Sequence, residues 1–207
     1  PPLHLLCLSA PTQENLLQTV QNMLHFETIS DDTSLADICF SANSGRDYFT
    51  CRLTVQAQNK AILRQQLQSF IDNKSIPGLT TAILGKGGSG RLAMLFSDEI
   101  PVAEIYLLAQ TQPHVAESLH RYQAIADKVK PGLLVEQEYN DAALFSAQFA
   151  IAELWLSWGI KPAAVAGSGI GELTALCTAG VLDIEQAFQV LAGQAVNTGK
   201  ASIAVYS

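Results

Sequence analysis

Apolar positions recur along the chain with two different periods. From Tyr48 to Val55, the residues Phe49, Cys51, Leu53 and Val55 alternate with Thr50, Arg52 and Thr54, which is the period of a half-buried strand. His4 to Ser9 (HLLCLS) is a second, shorter strand candidate. Helical spacing takes over after Ala10-Pro11-Thr12, where Leu16, Leu17, Val20, Met23 and Leu24 share one face. Asp31-Asp32-Thr33-Ser34 can cap a short helix over Leu35 to Phe40, and Ser41 to Arg46 is expected to break it. Asn59 to Ile71 repeats the helical pattern through Ile62, Leu63, Leu67 and Ile71, and Ser75-Ile76-Pro77-Gly78 ends it. The predicted product is a small antiparallel sheet with packed helices.

Gly85 to Gly90 (GKGGSG) is the richest glycine stretch and lacks the spacing of a phosphate-binding loop, so it reads as a flexible connection and a module boundary. Beyond it, Arg91 to Phe96 is a buried-strand candidate. A long helical pattern then runs from Tyr106 through Val115, Leu119 and Tyr122 to Ile125, expected to bend at Pro113. Ala142 to Trp158 is apolar nearly all round, with Ser146, Glu153 and Ser157 as one thin polar stripe, which predicts cover on most sides. Ala163 to Ala166 is a short strand, Gly167 to Gly171 a glycine-rich turn, and Glu172 to Ala179 a helix stopped by Gly180. Asp183 with Gln186 predicts a capping box for a helix from Ile184 to Ala192. Strands and helices in this order give an α/β layout, with modules at 1–90 and 91–207.

Composition narrows the function. The 207 residues are 48% hydrophobic and 15% charged, with a net charge of −7, so nucleic acid and anionic membrane surfaces are poor partners. Residues 1–90 carry six basic and seven acidic side chains, and residues 91–207 six and twelve, which marks the halves as different modules. Asp98, Glu99, Glu104, Glu136, Glu138 and Asp141 read as a solvated acidic surface. Cys7, Cys39, Cys51 and Cys177 lie far apart, without the close pairs of a zinc or redox site, and read as buried thiols of a cytoplasmic protein. The histidines are isolated, so neither metal nor cofactor is expected. Trp155 and Trp158 read as core. Pro1 and Pro2 lead straight into an apolar strand, and the chain reads as cut from something longer.

A strand that turns sharply into a helix, with glycines two residues to either side of a central residue, is the layout of a nucleophile elbow. Here the centre is Gly169, framed by Gly167 and Gly171. With its surroundings, Tyr139 to Gly180 (YNDAALFSAQFAIAELWLSWGIKPAAVAGSGIGELTALCTAG) resembles the acyltransferase domain of modular polyketide and polyunsaturated fatty acid synthases. There, an ALF-type helix and a W-x-x-W-G-I-x-P stretch precede a G-H-S-x-G-E elbow. Gln110 to Pro113 is similar to the family's early helices, and Lys200 to Tyr206 to its first ferredoxin-like strand. Leu3 to Ile71, above all SLADICFSANSGRDYFTCRL, resembles the linker between a ketosynthase and its acyltransferase. The fold the resemblance implies is a small α+β linker module followed by an incomplete α/β-hydrolase-like acyltransferase core.

Carried over position by position, the family's elbow histidine falls on Ser168 and its nucleophilic serine on Gly169, while Gly167, Ile170, Gly171 and Glu172 keep the frame. The arginine that binds a malonyl carboxylate falls on neutral Gln194. The G-Q-G-S oxyanion loop falls on Asp98, Glu99, Ile100 and Pro101, where two acids would repel an anionic substrate. Ser168 could be a displaced nucleophile, but Ala166 and Ile170 flank it without a glycine frame. The resemblance implies a non-catalytic docking remnant, a pseudoenzyme, with a ketosynthase, an acyl carrier protein and a discrete acyltransferase as partners and with self-association through residues 91–207. The alternative is a coenzyme A:carrier-protein acyltransferase completed by another chain or present in an inactivated form. A third reading is a pocket that holds acyl chains without chemistry.

Overall fold

The computed structural model describes residues 3–29, 33–85, 91–135 and 140–206. Asp31, Asp32, most of the glycine-rich connection (86–90), Glu136 and Glu138 lie outside them. The chain divides into two compact units, Pro1–Ser89 and Gly90–Ser207.

The first unit is built from β1 (His4–Ala10), α1 (Gln13–Ile29), α2 (Leu35–Ser44), β2 (Cys51–Ala57), α3 (Lys60–Ile71) and β3 (Leu79–Ile83). Its sheet is antiparallel in the order β1-β2-β3, with Leu6 opposite Val55, Leu8 opposite Leu53 and Leu53 opposite Thr81. That register puts Leu6, Leu8, Leu53 and Val55 on one face, where they pack in a single cluster with Leu16 and Val20 of α1, Ile38 of α2 and Leu63 and Leu67 of α3. Side-chain caps start all three helices: Thr12 accepts from the Asn15 N–H, Ser34 from the Asp37 N–H, and Asn59 from the Ile62 N–H. The break expected at Ser41 to Arg46 comes later, since α2 runs on to Ser44. Buried Ala42 rewards that extra turn, and Asn43 within it reaches across to the outer edge of β1. The Asn43 amide oxygen accepts from the Cys7 N–H (2.8 Å), and its NH2 donates to the Leu5 carbonyl (2.7 Å). β3 follows neither period, and its side chains are nearly all exposed.

The second unit contains β4 (Ala93–Phe96), α4 (Val102–Leu108), α5 (Pro113–Val129), α6 (Asp141–Ser157), β5 (Ala164–Gly167), α7 (Ile170–Thr178), α8 (Ile184–Leu191) and β6 (Ala204–Tyr206). Its sheet is parallel in the order β4-β5-β6, with Phe96 opposite Gly167 and Val165 opposite Val205. The long helix expected from Tyr106 to Ile125 is two helices, because Pro113 starts a new one at its first turn, where a missing N–H costs nothing. Lys200 to Tyr206 ends in a strand beside β5, so the elbow strand is central and has neighbours on both sides. The capping box at Asp183 and Gln186 is formed from both directions.

Apolar packing here is split. Phe145, Tyr122, Phe188 and Leu119 belong to a large cluster of α5, α6 and α8, whereas Val165, Ala175 and Ala179 form a small one between the sheet and α7. The expected cover of α6 holds for its first three turns and fails at its C-terminal end. Trp155 and Trp158 contact each other edge to face, but they are 45% and 60% exposed and are not core. No helix among the described residues is long and apolar enough to cross a membrane.

Candidate functional site

The turn from β5 into α7 has the geometry of a sharp elbow. Gly169 stands at its apex with φ +56° and ψ −127°, a backbone that a residue with a side chain adopts only under strain. The flanking glycines are there for closeness. A Cβ on Gly167 would lie 2.3 Å from the Gly171 carbonyl, and one on Gly171 would lie 2.3 Å from the Phe96 carbonyl oxygen. The helix therefore starts almost in contact with β4. Backbone bonds complete the turn: the Ser168 N–H donates to the Phe96 carbonyl (3.0 Å) and the Gly171 N–H to the Ser168 carbonyl (2.9 Å). Ser168 and Gly169 face solvent, Ile170 is half-buried and Glu172 lies exposed in the first turn of α7.

The loop after β4 closes over this apex. An added Cβ on Gly169 would lie 2.8 Å from Asp98 Oδ2 and 3.2 Å from Asp98 Cγ. Glu99 and Ile100 follow, with the Ser97 hydroxyl donating to the Glu99 carbonyl at 3.3 Å. Two buried polar residues tie the loop to α7: Gln148 of α6 donates its amide N–H to the Ser97 carbonyl, and its Oε1 accepts from the Thr174 hydroxyl at 2.8 Å. Asp98, Gly169 and their frame are thus brought together. Gln194 is exposed beyond α8, its N–H on the Gln189 carbonyl (2.8 Å), and among the described residues no hydrogen bond joins it to the elbow.

Gln148 and Thr174 escape a reading based on motifs. The signal for Gln148 is its amide inside an otherwise apolar helix, which has to find a partner once buried. Glu153, the charged interruption of the same helix, obeys the same rule. Its carboxylate accepts from Ser118 (2.7 Å), Tyr122 (2.6 Å) and Arg121 (2.6 Å) of α5. Burial, reinforced by the bond to Glu153, holds the Tyr122 phenol well above the ordinary tyrosine range. Burial, with Asp183 nearby, pushes the Cys177 thiol up to about 12.

A second feature flanks the loop. β4 is an edge strand, and Leu92, Met94, Ile105, Ile151, Trp155 and Ile160 line an apolar groove of about 410 Å³ that reaches Ser97 and Gln148. Leu95 on the same strand is 79% exposed. Among the described residues no group of three or more His, Cys, Asp or Glu could hold a metal ion.

This mixed α/β fold is that of polyketide synthase acyltransferase domains. The acyltransferase domain of ZmaA superposes with a TM-score of 0.76 at 22% identity, over 93% of this chain and 48% of that one. The acyltransferase domain from module 8 of the salinomycin polyketide synthase gives 0.74 at 20% identity, over 92% and 48%. A family profile described as "CurL-like, PKS C-terminal" matches residues 4–67. Among curated proteins, the PKS-NRPS hybrid synthetase ATPKS of Aspergillus niger is 32% identical over 90% of this chain and 11% of its own length. Orsellinic acid synthase armB of Armillaria mellea is 28% identical over 89% and 9%. The chain is thus similar to the acyltransferase region of polyketide synthases, and it spans about a tenth of the length of the curated relatives it matches.

Proposed function

We propose that this acyltransferase-like region is a non-catalytic remnant with a docking role in a cytoplasmic polyketide synthase: residues 1–90 are the linker from a ketosynthase, and residues 91–207 are an acyltransferase-like core. The observation that carries the reading is the apex of the elbow, where Gly169 supplies no nucleophile and the Asp98 carboxylate stands against it. Neutral Gln194, where the resemblance places the carboxylate-binding arginine, and the acids Asp98 and Glu99 beside the elbow support it, since they offer a carboxylated acyl group repulsion in place of a salt bridge. An adjoining ketosynthase, an acyl carrier protein and a discrete acyltransferase are the partners in this reading. The exposed Leu95, Trp155 and Trp158 around the groove beside β4 support self-association through residues 91–207.

Intact mass spectrometry after incubation with malonyl-, methylmalonyl- or acetyl-coenzyme A tests the central claim. No adduct is expected, and a stoichiometric acyl adduct on Ser168 or any other residue overturns it. The open edge of β4 favours a second reading, in which another chain completes this unit into a coenzyme A:carrier-protein acyltransferase. Transfer that appears only when such a chain is added would select it.

A further inference from the structure

The direction in which a side chain at residue 169 would point is already taken. The Asp98 carboxylate lies there, with Oδ2 2.8 Å, Cγ 3.2 Å and Cβ 3.4 Å from the position of an added Cβ. A separation of 2.8 Å is shorter than Cβ contacts found in folded proteins, and even a serine would add a hydroxyl beyond it.

The carboxylate's backbone has little room to retreat. Two residues before Asp98, the Phe96 carbonyl accepts the Ser168 N–H and is approached so closely by Gly171 that no Cβ fits there. One residue before it, the Ser97 carbonyl is held by Gln148, which Thr174 fixes in turn. Loop and elbow are thus cross-tied at the two residues that precede Asp98, by the Ser168 N–H and by buried Gln148.

We propose that Asp98 is a built-in stopper of the elbow. Its carboxylate fills the volume left by the absent side chain at Gly169, so the two residues form a coupled pair, and a side chain at the apex has to displace the exposed carboxylate of Asp98. The carboxylate stands at the start of α7, where the helix dipole favours negative charge, and so the chain's own anion takes the place an anionic ligand would need. Gln148 and Thr174 act as positioning residues, holding the loop that carries the stopper. This deepens the non-catalytic reading, and the two can fail separately: an acyl adduct on the native chain ends that reading, whereas the stopper stands or falls on coupling between two positions.

The test is a double-mutant cycle on the full 207-residue chain, comparing Gly169→Ser, Asp98→Ala and the pair by denaturant unfolding. Serine at φ +56° is strained in both backgrounds, so that cost cancels and the cycle isolates the contact. With Asp98 present, Gly169→Ser is expected to raise the unfolding equilibrium constant by at least about tenfold more than with Asp98→Ala. Asp98→Asn, which keeps the volume without the charge, is expected to leave the full cost in place. Equal costs with Asp98 and with Ala overturn the proposal, as does a full rescue by Asn. If Gly169→Ser yields no folded protein, recovery of folded protein on adding Asp98→Ala supports the stopper, and continued failure overturns it.

Discussion

The two units solve the same packing problem differently. In the first, one face of the β1-β2-β3 sheet and three helices share one apolar cluster, with Leu6, Val55, Leu63 and Leu67 essentially inaccessible to solvent. In the second, helices pack mainly on helices. Phe145 is stacked with Phe149 and meets Phe188 edge to face, while the sheet is held by α7 through the small Val165, Ala175 and Ala179 cluster. A sheet whose side chains carry the core is committed to its position. A sheet attached mainly through one helix leaves its edge strand β4 and the groove beside it open, and the elbow stands at the end of the central strand of that sheet. The robust part of the second unit is thus the part that does not bear the site.

The largest expected effects probe the two cores directly. Phe145→Ala should cost the second unit about 3–5 kcal/mol, and Leu63→Ala should cost the first about 2–5 kcal/mol. Residue-resolved hydrogen exchange checks whether each loss stays within its own unit, and a loss spread evenly over both breaks the comparison. Next comes Glu153→Ala, which leaves the buried hydroxyls of Tyr122 and Ser118 without their acceptor. Its cost should be about 1–3 kcal/mol, measured by denaturant unfolding.

High pH sharpens the contrast further. Cys177 keeps its proton in the folded chain until about pH 12, whereas the unfolded thiol loses it near the ordinary value of 9.0. Between these values the unfolded state binds fewer protons, so stability falls as pH rises, by up to about 1.4 kcal/mol per pH unit. Tyr122, also raised, adds to the loss above its ordinary value of 10.0. Cys177→Ala should flatten the alkaline arm from pH 9 and Tyr122→Phe its upper part, as read from unfolding midpoints against pH. The smallest effect belongs to Asp183→Ala, which removes the capping box of α8 and should cost about 1 kcal/mol.

Much of the fold was legible because local chemistry and tertiary packing agree. The alternation around Leu53, the helical spacing of Ile62, Leu63 and Leu67 and the capping box at Asp183 each point to the element that forms. β3 was not legible, because its Leu-Thr-Thr-Ala-Ile run joins the sheet by backbone pairing while its side chains stay in solvent. Trp155 and Trp158 misled for the reverse reason: apolar character predicts burial only where a neighbour exists to cover it, and the end of α6 is only partly covered within its unit. At the elbow, the spacing of Gly167, Gly169 and Gly171 marked the turn. The contact between Asp98 and Gly169 spans 71 positions, and no periodicity carries information at that range.

Asn43 has one more consequence. A three-stranded sheet normally offers two rows of free backbone groups to any passing strand. Here the amide of Asn43 occupies the Cys7 N–H and the Leu5 carbonyl on β1, and the Ser9 hydroxyl holds the Phe49 N–H just beyond. One side of the sheet is thereby sealed with side chains, as a hem closes the edge of a cloth. A strand added beside β1 has to displace Asn43 first, so lengthening of this sheet is favoured past β3.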